Sequence, residues 1–171
     1  MRYKILSLLL FVIIFAQSPD SRGYIVNVGD PSPDWSLTYP DGSTTSLLEL
    51  KGKVILLQFT ASWCSVCRTE MPHIEKEVWL PLKDKGLIVI GVDRDEPKEL
   101  VEKFAEEMEI TYPLALDPEA EIFAKFADKE SGVTRNVVID QNGNIVFLTR
   151  LYDIEEFQKM KSTIIELIEN N

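Results

Sequence analysis

Two segments of the chain carry apolar residues with almost no polar alternation: 54–59 (Val-Ile-Leu-Leu-Gln-Phe) and 87–92 (Leu-Ile-Val-Ile-Gly-Val). Runs of this length and kind predict strands buried on both faces, at the centre of a sheet. Between and after them the period becomes helical. Cys67, Met71, Ile74, Val78 and Leu82 recur on one face, and Leu100, Val101, Phe104, Ala105 and Met108 do so after Pro97, which suits a first helical turn. A shorter helix is predicted over 120–126, and a final one over 154–168 with Phe157, Met160, Ile164 and Ile168 as its inner face.

Shorter runs predict the margins of the sheet. Residues 35–38 and 43–45 flank Tyr39-Pro40-Asp41-Gly42, a turn signal, and read as a hairpin. Residues 137–140 and 145–148, joined through Gln141-Asn142-Gly143-Asn144, read as a second antiparallel hairpin. A β-rich start, a βαβαβ middle and a closing hairpin plus helix predict an α/β fold, with a mixed central sheet flanked by helices.

Composition adds one domain and an export route. With 171 residues the chain suits a single well-buried domain. Its 18 basic and 28 acidic residues give a formal charge of −10, which argues against a nucleic-acid or anionic-membrane surface. Arg2 and Lys4 precede residues 5–16, apolar except for Ser7, and Ala16-Gln17-Ser18 has the small-x-small form of a cleavage site. We expect residues 1–18 to be a signal peptide, 19–29 a linker, and 30–171 the folded domain. The apolar run is short for a membrane span. The expected location is therefore periplasmic or otherwise extracytoplasmic, with a membrane tether if the segment is not cleaved. No cysteine follows the run, so an amino-terminal lipid anchor is not available.

Candidate chemistry sits where the first buried strand ends, at Trp63-Cys64-Ser65-Val66-Cys67, which holds the only two cysteines of the chain. A strand, a short turn and a helix beginning at the first cysteine place Cys64 near unpaired backbone N–H groups. Partial positive charge there favours thiolate over thiol. Cys67 lies about one turn on, within reach of a disulfide. In the expected division of labour Cys64 attacks and Cys67 resolves. A zinc half-site is a poor alternative, because two cysteines and one histidine fall short of four ligands. An inert structural disulfide remains open, although so short a loop removes little unfolded-state entropy.

Residues 50–72 (Leu-Lys-Gly-Lys-Val-Ile-Leu-Leu-Gln-Phe-Thr-Ala-Ser-Trp-Cys-Ser-Val-Cys-Arg-Thr-Glu-Met-Pro) closely resemble the strand, redox turn and first helix of the exported TlpA/ResA-type thiol–disulfide oxidoreductases of the thioredoxin superfamily, which are related to the AhpC/TSA redoxins. The likeness extends from about Gly29 to the C-terminus. It implies a thioredoxin-like fold with an N-terminal β-hairpin and a central helix–strand insert, for which residues 95–112 are available. It also implies disulfide exchange with protein thiols, recharged by a membrane or exported redox partner. No metal or organic cofactor is needed, and the protein is expected to act as a monomer.

Several residues acquire expected roles. Glu70 lies one turn beyond Cys67, beside the buried stripe; a carboxylate near a dithiol raises thiol pKa and can carry a proton. Relatives have a glutamate in this place, which implies the same role here. Trp63 is expected to shield the disulfide and offer a flat apolar contact to substrate. Pro72 should kink the helix, and His73, the sole histidine, should be solvated on another face. Two positions depart from the family. Val66 stands where relatives commonly carry proline. In Gly132-Val133-Thr134-Arg135-Asn136, Thr134 takes the place of a proline whose peptide is cis and which faces the cysteines. A cis peptide before threonine is improbable on energetic grounds, so Thr134 and Arg135 are expected to hold the substrate in another way. Arg135 also supports a second reading, a peroxiredoxin-like thiol peroxidase of the AhpC/TSA type reducing peroxides through Cys64. Against it, Ala61 stands where that family's loop has threonine. A third reading is a binding domain in which the two cysteines form an inert staple.

Overall fold

The run from Val54 to Thr60 is an interior strand of the sheet, and all seven of its residues are buried, as a strand covered on both faces requires. The structure, a computed structural model, describes residues 22–170, so the expected signal peptide lies outside the described residues. Strands are β1 (Ser36–Thr38), β2 (Thr44–Ser46), β3 (Val54–Thr60), β4 (Leu87–Arg94), β5 (Leu114–Asp117), β6 (Arg135–Ile139) and β7 (Ile145–Arg150). They lie in the order β2-β1-β5-β4-β3-β6-β7. The strands β3, β4 and β5 are parallel neighbours; β6 runs antiparallel to β3, and β7 antiparallel to β6. The hairpin β1–β2 pairs antiparallel and joins the sheet through β5. The mixed sheet, the N-terminal hairpin and the closing hairpin are all as the sequence predicts.

Helix α1 (Ser65–His73) begins directly at the redox turn. Pro72 has no N–H to continue the α ladder, and beyond it the chain goes on in wider π turns over Ile74–Trp79. Helix α2 (Leu80–Leu82) and a 3-10 turn (Lys83–Lys85) follow, ending at Gly86, whose φ of 97° suits the helix-to-strand reversal. Helix α3 (Lys98–Met108) and β5 make the helix–strand insert, with the strand falling just past residues 95–112. Helix α4 (Ile154–Glu169) starts at Asp153, whose side chain accepts from Glu156 N–H. It buries Phe157, Met160 and Ile164.

Two segments differ from the sequence reading. The helix expected over 120–126 is only a 3-10 turn (Phe123–Lys125). Ala120 has φ 51°, outside helical range, and the Asp117 carboxylate draws in the N–H groups of Ile122 and Phe123. The segment expected as linker packs onto the domain from Arg22 onward. Tyr24 is 2% exposed and donates its hydroxyl to the carbonyls of Asn136 (3.1 Å) and Thr149 (2.6 Å). Ile25 N–H bonds to Phe126 O, and Gly29 N–H to Ile145 O. An aromatic and alternating apolar residues within 22–29 give it a face to bury, which a solvated tether lacks.

Candidate active site

The redox turn is built by the end of β3. Ala61 O accepts from Cys64 N–H, and Cys64 takes the N-cap position of α1 with extended backbone, φ −87° and ψ 105°. Its Sγ accepts from the N–H of Cys67 at 3.1 Å, so the sulfur is itself the helix cap. The first turn of α1 contains no acid to oppose charge there. The two cysteines form a disulfide with their Cα atoms 5.3 Å apart. Cys64 is 8% exposed and Cys67 is fully covered. Of the two sulfur-bearing residues, only Cys64 keeps an edge toward solvent.

Register brings the opposite wall. Phe59 pairs with Arg135, and Gln58 with Asn136, across β3 and β6. The residue before β6 therefore lies beside the end of β3, where the redox turn starts. That residue is Thr134, fully buried, with its Oγ1 3.2 Å from Cys64 Sγ and 3.1 Å from Cys67 Sγ. No cis peptide bond occurs among the described residues. Thr134 O accepts from Leu151 N–H, which fixes the backbone from β7.

Side chains alternate along the strand. Asn136, two residues on, shares the Thr134 side and donates to Glu70 Oε1 at 2.7 Å and to Thr149 Oγ1 at 2.8 Å. Gln58 donates to the other Glu70 oxygen at 3.0 Å, and Tyr112 donates its hydroxyl to Gln58 Oε1. Glu70 is thus a buried carboxyl held by two amides. Burial pushes its pKa up to about 7, against the opposing pull of those hydrogen bonds. A carboxyl poised there can take or give a proton near neutral pH.

Arg135 points to the other side of the strand. Its guanidinium lies 4.7 Å from the Tyr24 ring centroid and 5.9 Å from that of Phe123, and its Nε donates to Gly132 O. At 1% exposure it is buried on that side of the strand, against these two rings. Trp63 is 63% exposed beside Cys64 and presents an open apolar face. His73 stands on the surface against Glu77 and stacks on Tyr152.

Further residues that the sequence reading does not single out lie in and around the turn. Ser62 is clamped from both sides: its N–H and hydroxyl bond to the Glu96 carboxylate, and its carbonyl accepts from Arg68 Nε at 2.7 Å. Arg68 also pairs with Glu107 and covers Phe104, so α3 is tied to the redox turn. Asp93, fully buried at the end of β4, has a pKa pushed up to about 8, by burial first and then by Glu96. Gln58 could have been found, since a lone polar residue in an otherwise apolar central strand is an informative exception. Among the described residues no cluster of His, Cys, Asp or Glu could hold a metal ion, and no helix is long and apolar enough to cross a membrane.

Comparison with known proteins places this geometry. The Redoxin family model matches residues 27–164. The thiol-disulfide oxidoreductase ResA of Oceanobacillus iheyensis is 32% identical over 127 residues, covering 71% of this chain and 66% of that one. ResA of Geobacillus kaustophilus is 32% identical over 120 residues, 70% of this chain and 67% of its own. The chain thus spans about two thirds of the length of these curated relatives. A solution structure from Bacteroides thetaiotaomicron, designated a candidate protein disulfide isomerase, is 54% identical with a TM-score of 0.83, covering 86% of this chain and 93% of that one. A DsbE-type thiol:disulfide interchange protein from Chlorobium tepidum, at 24% identity and TM-score 0.74, covers 84% of this chain and 99% of its own and shares the fold. The chain belongs to the Redoxin family, as a thioredoxin-fold homologue of the ResA thiol–disulfide oxidoreductases with Cys64 and Cys67 as its CxxC pair.

Proposed function

We propose that this protein is an exported enzyme that exchanges disulfides with protein substrates through Cys64 and Cys67. The observation that carries the reading is the contrast between the two sulfurs: Cys64 caps α1 at the solvent edge, and Cys67 lies covered behind it. In the reducing direction the Cys64 thiolate attacks one sulfur of a client disulfide, forming a Cys64–client disulfide and expelling the other client sulfur as thiolate. Cys67 then loses its proton and attacks Cys64 Sγ. The second client thiolate leaves as the Cys64–Cys67 disulfide forms. The client gains two electrons, the dithiol loses two, and the expelled thiolates take up protons.

Glu70 serves as the proton carrier of the pair, in a role its raised pKa supports. Trp63 supplies an apolar platform on which a client segment lies against Cys64. Arg135 supports the strand through Tyr24 and Phe123. A membrane or exported redox partner returns the oxidised domain to the dithiol, and the domain acts as a monomer outside the cytoplasm. This location rests on the signal-like residues 1–18.

The test is the rate at which the reduced full chain reacts with a model protein disulfide and, separately, with hydrogen peroxide. Rapid exchange with slow peroxide reaction is expected. Cys64→Ser should abolish exchange, whereas Cys67→Ser should stall as a trapped mixed disulfide. Rapid peroxide consumption that requires Cys64 and falls in Arg135→Ala would replace this reading with a peroxidase. Inertness toward both would leave a structural staple.

A further inference from the structure

Thr134 brings a hydroxyl to a place where the family resemblance implies a proline, and a proline has no donor to offer. Its Oγ1 is within hydrogen-bond distance of both redox sulfurs at once, 3.2 Å from Cys64 Sγ and 3.1 Å from Cys67 Sγ. The side chain is fully buried, so water does not compete for the hydroxyl. Its position is fixed twice over. A β-branched side chain has restricted χ1, and the Thr134 carbonyl is tied to Leu151 N–H. The hydrogen nevertheless remains free to turn about the Cβ–Oγ bond, so one oxygen can serve either sulfur in succession.

We propose that Thr134 is a catalytic residue whose hydroxyl follows the negative charge from one sulfur to the other during exchange. The proposal rests on the reading of Cys64 and Cys67 as the exchanging pair and adds a donor to it. In the reduced domain Cys67 S–H donates to Thr134 Oγ1, and Thr134 O–H donates to the Cys64 thiolate alongside Cys67 N–H. Both capacities of the hydroxyl are then used, and the charge is held on the sulfur at the solvent edge. After Cys64 attacks, it is neutral within the mixed disulfide. Cys67 gives its proton to the Glu70 carboxylate, directly or through solvent admitted with the client, and becomes the charged sulfur. The hydroxyl hydrogen turns toward it and holds it as thiolate until it displaces the client. Thr134 forms and breaks no covalent bond; its proton stays on oxygen throughout.

A hydrogen bond to a charged acceptor is stronger than one to a neutral acceptor. Loss of this donor therefore removes stabilisation from the thiolates more than from the disulfide. The test measures the rate of iodoacetamide alkylation of Cys64 against pH in the reduced full chain, for wild type and for Thr134→Val, which keeps the volume without the donor. The midpoint is expected to rise by about one pH unit, lowering the thiolate fraction about tenfold below that pH. Thr134→Ser should titrate close to wild type, and Thr134→Ala, should valine disturb the fold, should move as valine does. Release of a model client from the mixed disulfide should slow about tenfold in the variants without a hydroxyl. A wild type that exchanges disulfides while Thr134→Val and Thr134→Ala titrate like it would overturn the role of the hydroxyl alone. So would a serine variant shifted as far as valine, which would indicate packing. A wild type that fails to exchange at all would overturn the exchange reading, and with it the catalytic role, whatever the titrations show.

Discussion

Residues 63–67 and residues 132–136 meet at the same two sulfurs, the first segment through short-range geometry and the second through sheet register. In the redox turn everything needed is within one helical turn: Cys64 caps α1, and the N–H of Cys67 points back at its sulfur. In the facing segment three consecutive residues go to three different places. Thr134 reaches the sulfurs, Arg135 lies on the rings of Tyr24 and Phe123, and Asn136 holds Glu70. The facing segment acquires its sense only when β6 pairs with β3, residue against residue. The two sulfurs are therefore set in place by a local device and faced by a long-range one.

The link between the two regions is Glu70, and breaking it has the largest expected effect on stability. Its carboxyl has an ordinary pKa of 4.5 and one of about 7 in the folded protein, raised chiefly by burial. Between those values the folded state keeps a proton that the unfolded state has lost, so stability is full below the lower value and falls as pH rises toward the upper one. Two and a half pH units correspond to roughly 3 kcal/mol over that window. Asp93, raised to about 8 by burial and by Glu96, adds a decline of the same sign that extends further. Glu70→Gln keeps a neutral side chain of the same shape. Urea unfolding at pH 5 and pH 7.5 should then show a clearly smaller pH difference in Glu70→Gln than in wild type. An unchanged pH difference would mean that the fold does not raise the Glu70 pKa, leaving its carboxylate too weak a base to take the Cys67 proton.

The next contrast lies within the facing segment. Arg135 and Thr134 are neighbours in sequence on opposite sides of the strand, so changing one should leave the work of the other alone. Arg135→Met retains a long side chain and removes the guanidinium from the two rings. A loss of about 2 kcal/mol is expected from the desolvated cation–π contacts and the hydrogen bond to Gly132 O. The alkylation midpoint of Cys64 should not move. A reduced protein whose Cys64 becomes much less reactive in Arg135→Met would break the separation of the two faces and return weight to a peroxidase-like use of the arginine.

How much of this was legible in the sequence follows the same division. The buried strands, the redox turn and the amphipathic helices were readable because each is announced by a period or a motif within a short window. Thr134 was recognisable as a departure at the right place. Its contact with both sulfurs was not, because that depends on the pairing of Phe59 with Arg135. Gln58 left a trace as the one polar residue in an apolar run, yet its partners, Tyr112 and Glu70, come from elements far along the chain. Tyr24 was missed because proline, serine and glycine around it read as a tether, while its burial is supplied by β6 and β7. The helix predicted over 120–126 failed for a local reason: the carboxylate of Asp117 offers the backbone N–H groups another partner.

The smallest expected effect concerns the residue that holds Thr134 from behind. Leu151 has φ 65°, in the left-handed region, and its N–H donates to Thr134 O, while the residue is 47% exposed. A branched, non-glycine residue pays about 1 kcal/mol for that conformation. Glycine adopts it freely, though the unfolded chain then gains freedom that offsets part of the relief. Leu151→Gly should therefore stabilise the fold by roughly 0.5 kcal/mol, read as a small rise in the urea midpoint. Its backbone N–H is retained, so Thr134 keeps its place and the alkylation midpoint of Cys64 should stay where it is. A fall in stability would show that the Leu151 side chain contributes packing that outweighs the strain. A shifted alkylation midpoint would show that the facing segment is held in place by that side chain, and that register alone does not position the hydroxyl.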